Sequence, residues 1–323
     1  MVGGHRRARG ASGRRGSSRS ARLGAAVTAP MLALVAITAC SAAVPAPAAT
    51  TSIDPTGVET GSLYLSLGDS YAAGFQPEPI GSTQGFAQQI AERSASGTDP
   101  LTLVNLGCPG ATSSAVLADV GCATAASVAD GWPHPASTQL ASALDIMRTH
   151  QAQIRLVTVS LGGNDINTCL DQVDPVGCAR DLAPTIAANL DQILAQVRQI
   201  VGPDVPIVGI TYPDVYVKDL DSTDPVARAR AQASVVIFRD VLNPTLAAAY
   251  AGAGAGFVDI TADSGAYRPV GEVVPSPDGG AVPAAVAAVC QYTHYCDSGD
   301  VHPTTAGYSF IADQVLALIA AQP

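Results

Sequence analysis

The stretch LSLGDSYAAG, residues 65–74, places Ser70 where an apolar run gives way to a glycine-bearing turn. Two later stretches, NLGCPGATS (105–113) and GGNDI (162–166), also follow apolar runs, and GDVHPTTAGY (299–308) carries His302 ahead of the last apolar segment. Together these residue types suit acyl transfer. A serine hydroxyl is a weak nucleophile and needs an adjacent base, commonly an imidazole with a pKa of ~6.5. The tetrahedral intermediate carries negative charge on the former carbonyl oxygen, and fixed N–H donors must meet it. The backbone N–H groups of Ser70 and Gly110 and the side-chain amide of Asn164 are candidates, glycine being useful where backbone must approach closely. Each residue also has an ordinary reading. Ser, Asp and Asn cap helices, glycines make turns, and a histidine before proline is common in loops.

The elements that would position these groups alternate along the chain. Strand-like runs occupy 62–68, 101–107, 154–163, 205–211 and 256–261. Helical patterns occupy 83–94, 137–150, 179–200, 225–251 and the segment after His302, whereas 263–300 reads as a Pro- and Gly-rich loop. Five strands alternating with helices predict one α/β domain over 62–323, a parallel sheet covered on both faces. In such sheets ligands bind beyond the carboxyl ends of the strands, where all four stretches fall. AGAGAGF (251–257) lacks the spacing of a dinucleotide-binding turn and reads as a helix end.

Charge and cysteine usage bound the setting. All seven basic residues before position 40 are arginines, with no acid among them. They precede an apolar run (23–39), so 1–39 reads as a secretory leader. From Cys40 onward ten basic residues face 27 acidic ones. That excess of acid disfavours nucleic acid and anionic lipid and favours an extracytoplasmic protein. Residues 40–61, rich in Ala, Pro and Thr, read as a flexible tether. The remaining cysteines, Cys108, Cys122, Cys169, Cys178, Cys290 and Cys296, form an even set. Neighbour pairing into three disulfides is expected, because each pair brackets one short loop. None has C-x-x-C spacing, so zinc is not expected, nor any other cofactor.

Two resemblances sharpen these readings. ITAC (37–40) resembles the lipobox of bacterial lipoproteins, which implies a diacylglyceryl group on Cys40 and a membrane anchor. The ordered set of G-D-S, a later Gly after an Asn-led strand end, G-x-N-D and a C-terminal His-Pro resembles the GDSL/SGNH hydrolase family, in its secreted bacterial esterase and lipase branch. The resemblance spans about 62 to 321. It implies a flavodoxin-like three-layer α/β/α fold with a five-stranded parallel sheet, and ester hydrolysis through an acyl-serine. By position, Ser70 is the implied nucleophile and His302 the base, with Gly110 and Asn164 joining the Ser70 N–H in an oxyanion hole. The family's Asp three residues before the His is here Gly299. Asp300 is the first choice to orient the imidazole, with Asp297 and a backbone carbonyl near Gly299 as alternatives. Asp69 and Asp165 read as structural, bonding within their own turns.

The rival reading from another class is a non-catalytic surface lipoprotein that binds a ligand or polysaccharide on the same scaffold. A G-x-S-x-G nucleophile elbow is missing from the sequence, which argues against the common α/β-hydrolase. The substrate stays open among lipids, short-chain esters and acetylated glycans, and a monomer is expected. Loops 119–136 and 263–300, with Trp132, Tyr267, Tyr292 and Tyr295, are the expected pocket walls.

Overall fold

The computed structural model describes residues 61–77, 82–124, 128–276 and 279–321. The leader, Cys40 and all but the last residue of the expected tether lie outside the described residues.

Strands β1 (Ser62–Gly68), β2 (Leu101–Asn105), β3 (Ile154–Ser160), β4 (Ile207–Ile210) and β5 (Gly256–Val258) form one parallel sheet in the order β2-β1-β3-β4-β5. Strand β4 (IVGI) is apolar throughout because the centre of a parallel sheet is covered on both faces. All seven residues of β1 are buried, and Tyr64 keeps its hydroxyl satisfied by Thr158 Oγ1 at 2.8 Å.

Helices follow the strands in turn: α1 (Ser70–Ala73) and α2 (Phe86–Ser94) after β1, then α3 (Ser113–Ala118) and α4 (Gln139–Thr149) after β2. Next come α5 (Gly163–Asn167) and α6 (Pro175–Val201) after β3, then α7 (Pro225–Ile237) and α8 (Asn243–Gly252) after β4. After β5 the chain forms α9 (Ile260–Asp263), the antiparallel hairpin β6 (Val273–Pro275) and β7 (Ala281–Pro283), α10 (Ala284–Tyr292), α11 (Tyr295–Ser298) and α12 (Thr305–Ala320). Helix α12 packs against α2, while α6 packs against both α4 and α8, giving the two outer layers. The expected three-layer α/β/α domain is therefore present.

Two segments differ from their sequence reading. The stretch expected as one helix over 225–251 is split by a π-helical turn at Phe238–Leu242. Pro244 stands two residues beyond that turn; lacking an N–H, it cannot continue the helical ladder, which opens one turn earlier. The stretch expected as a loop over 263–300 holds the β6–β7 hairpin, α10 and α11. Helix α10 (AAVAAVCQY) is apolar nearly all round, so it lacks the contrast by which a surface helix is read. Among the described residues no helix is long and apolar enough to cross a membrane, and no cluster of His, Cys, Asp or Glu could hold a metal ion.

Candidate active site

The sheet order reverses at β1, with β2 on one side and β3 on the other, so the loops leaving β1 and β3 part and open a crevice. Gly68 ends β1 so close to β3 that a Cβ would stand 2.1 Å from the Ser160 carbonyl oxygen. Only glycine fits there. The side-chain amide of Gln139 brackets the same residue: Gly68 N–H donates to Oε1 and Nε2 donates to Gly68 O, both at 2.8 Å. Asp69 then caps α1, its Oδ1 accepting from the Tyr71 N–H at 2.9 Å, and Ser70 opens the helix.

Two further loops converge on this turn. After β2, Asn105 Oδ1 accepts from the Gly107 N–H, and the chain reaches Gly110 at φ +87°, backbone that L side chains rarely adopt. After β3, Asn164 donates from Nδ2 to Ala111 O at 3.0 Å, and Asp165 accepts from both the N–H and the hydroxyl of Ser113. Asp165 thus fastens the third loop to the second. Asp69 likewise reaches beyond its turn, its Oδ2 accepting from the Tyr212 hydroxyl at 2.6 Å. Both acids are expected to bond within their turns; Asp69 does so through the Tyr71 N–H and also reaches Tyr212, whereas Asp165 is held by Ser113 of another loop. Burial pushes Asp69 up to about 7, with the Tyr212 hydrogen bond pulling the other way.

His302 precedes α12. Its Nδ1 lies 2.7 Å from Asp300 Oδ1, the same oxygen that accepts from the His302 backbone N–H at 2.9 Å. Of the three orienting groups weighed from sequence, this geometry brings Asp300 to the ring, and Asp297 is exposed. The two-residue spacing works because Gly299, at φ +75°, turns the chain immediately before Asp300. Burial lowers the His302 pKa below the ordinary imidazole value, and the Asp300 carboxylate partly offsets that. The ring packs on Phe75 with centroids 4.5 Å apart. The His302 carbonyl accepts from the His294 N–H at 3.0 Å, within the loop spanned by the Cys290–Cys296 disulfide. Cys108–Cys122 and Cys169–Cys178 are the other two disulfides, as neighbour pairing predicted.

Ser70, Gly110, Asn164 and His302 line one cavity of about 600 Å³. Among the described residues Ser70 Oγ makes no hydrogen bond, and a nucleophile–base contact often tightens only when substrate binds. The far walls are Val215 and Tyr216, beyond the end of β4, and Phe238 of the π-helical turn. The expected liners Trp132, Tyr267, Tyr292 and Tyr295 are not among them. Tyr267 bonds to Asn243, Tyr292 stacks on Phe310, and Tyr295 stands against Tyr216. Val215 and Tyr216 belong to TYPDVY (211–216), a fourth strand end at the same sheet edge that the strand-end rule marks, although its Asp214 does not line the cavity.

The model of the GDSL-like lipase/acylhydrolase family matches residues 66–310. Among solved structures, the extracellular lipase of Streptomyces rimosus is similar, at 20% identity over 80% of this chain and 100% of that one, with a TM-score of 0.51. Phospholipase A1 of Streptomyces albidoflavus NA297 shows 20% identity over 82% and 100%, with a TM-score of 0.48. The acetylxylan esterase Axe2 of Geobacillus stearothermophilus shows 15% identity over 81% and 96%, with a TM-score of 0.45. No curated protein matches the chain.

Proposed function

The chain belongs to the GDSL-like lipase/acylhydrolase family and is a carboxylic ester hydrolase, and we propose that it works through an acyl-serine on Ser70. The observation that carries this reading is the shared cavity: hydroxyl, imidazole, amide and glycine donor, from four separate loops, open into one space.

The steps follow from the groups present. His302 Nε2 takes the hydroxyl proton as Ser70 Oγ bonds to the carbonyl carbon. Asp300 at Nδ1 holds the tautomer that leaves Nε2 free to accept. The oxyanion meets the N–H groups of Ser70 and Gly110 and the second hydrogen of the Asn164 amide, whose first is held by Ala111. The carbon–alkoxide bond breaks, and the imidazolium returns its proton to the alkoxide. Water then repeats the sequence, releasing the acid and restoring Ser70. Burial of His302 supports the role of base, since it favours the neutral ring at neutral pH.

The test is hydrolysis of a p-nitrophenyl ester by Ser70→Ala. Turnover disappears in a protein with an unchanged circular dichroism spectrum; wild-type turnover in the variant contradicts the assignment.

The setting completes the reading. Three disulfides fit an oxidising, extracytoplasmic compartment. With the leader 1–39 cleaved off, a lipid on Cys40 would tether the domain through 40–61, two acyl chains sufficing for stable anchoring. Movement of Cys40→Ser from the membrane fraction to the soluble one supports the anchor, and no movement removes it.

A further inference from the structure

We propose that a second cavity, across the Gly110 turn from the catalytic one, is the subsite for the acyl chain of the ester; this rests on the acyl-serine reading above. It measures about 530 Å³, and Pro109, Gly110 and Thr124 wall both cavities. Ala111, Ala115, Val116, Ala118 and Val120 give it hydrocarbon walls, with Asp119 and His134 among its polar residues. Gln139 also lines it, but that amide is engaged on both sides of Gly68. Among the described residues no lysine or arginine lines the space, and the Asp119 carboxylate at its wall disfavours an anionic occupant. Val120 is 65% exposed, an apolar rim that an occupant would cover.

Chemistry decides which part of the ester goes there. The departing alkoxide must take its proton from the imidazole, so the alcohol side stays beside His302. His302 lines the catalytic cavity and not the second one. The carbonyl oxygen is occupied with the donors, Gly110 among them. The remaining substituent, the acyl chain, then runs past the Gly110 turn into the apolar space. Each methylene buried there strengthens transition-state binding about fourfold.

The experiment compares kcat/KM for p-nitrophenyl acetate, butyrate, octanoate and laurate in the wild type, Ala115→Trp and Ala118→Trp. A matched series of acetates with lengthening alcohols serves as control. In the wild type the value rises from acetate to octanoate. Each tryptophan fills the subsite, leaving acetate hydrolysis within about twofold while cutting octanoate hydrolysis by about tenfold or more. The alcohol series keeps its wild-type profile. Normal acetate hydrolysis with an unaltered acyl profile overturns the inference, as does a wild-type rate that falls with acyl length. So does a change confined to the alcohol series. Absence of hydrolysis of every ester by the wild type would instead defeat the esterase reading. Ala118 is exposed, so its variant folds even if Ala115→Trp strains helix α3.

Discussion

The hydroxyl of Tyr71 donates to the carbonyl oxygen of Val301 at 2.7 Å, joining the residue after Ser70 to the residue before His302. The bond spans 230 positions of sequence. Tyr71 also packs edge-on against Tyr212, whose hydroxyl is held by Asp69. The loop bearing the imidazole is thereby indexed to the helix bearing the hydroxyl. Tyr71→Phe keeps the ring and deletes that bond. It is expected to lower kcat by about tenfold with little change in KM, because misplacement of a catalytic group costs rate more than ground-state binding. An unchanged kcat would show that the bond does not position His302.

Asp300→Asn separates orientation from charge. The carboxylate favours the charged imidazole, so its loss lets burial lower the His302 pKa further. Activity requires the neutral ring and rises with pH as His302 deprotonates. The acid limb of kcat/KM is therefore expected to move to lower pH in the variant, while the plateau falls by more than about tenfold as the tautomer is lost. A limb that stays in place, with a plateau near wild type, would assign the orienting role elsewhere.

Burial pushes both Asp69 and Asp214 up to about 7 from an ordinary value of 3.8. The folded state therefore holds protons that the unfolded chain has released, and stability is greatest below the unfolded pKa. It declines as pH rises from about 4 through 7. Asp214 accepts from the Tyr216 N–H and the Ser234 hydroxyl. Asp214→Asn can keep both contacts, the serine hydroxyl turning to accept from the new amide. A series of melting temperatures across that window should fall in the wild type and fall less steeply in Asp214→Asn. Parallel slopes would mean that Asp214 is charged throughout.

How much of this was legible in the sequence depends on the physics of each part. The five strands were readable as short runs rich in apolar and β-branched residues between turns, IVGI of β4 being apolar throughout because it is buried on both faces. Ser70, Gly110, Asn164 and His302 were readable because each follows a strand end or precedes a helix, at the edge where α/β sheets place their ligands. The disulfide pairs were readable because each closes a short loop. The partners of Asp69 and Asp165 were hidden, since Tyr212 and Ser113 are brought to them only by the fold. The cavity walls were hidden for a related reason. Val215, Tyr216 and Phe238 are ordinary core residue types, and only the sheet edge and a π-helical turn make them face the site.

The central claim is that an imidazole activates one serine hydroxyl in this cavity, and a fluorophosphonate probe reads that chemistry directly. After incubation at neutral pH and peptide mapping, the phosphonyl adduct should lie on Ser70, with labelling slowed by about a hundredfold or more in His302→Ala. An adduct on a different residue, or equally rapid labelling of Ser70 without the imidazole, would contradict the account.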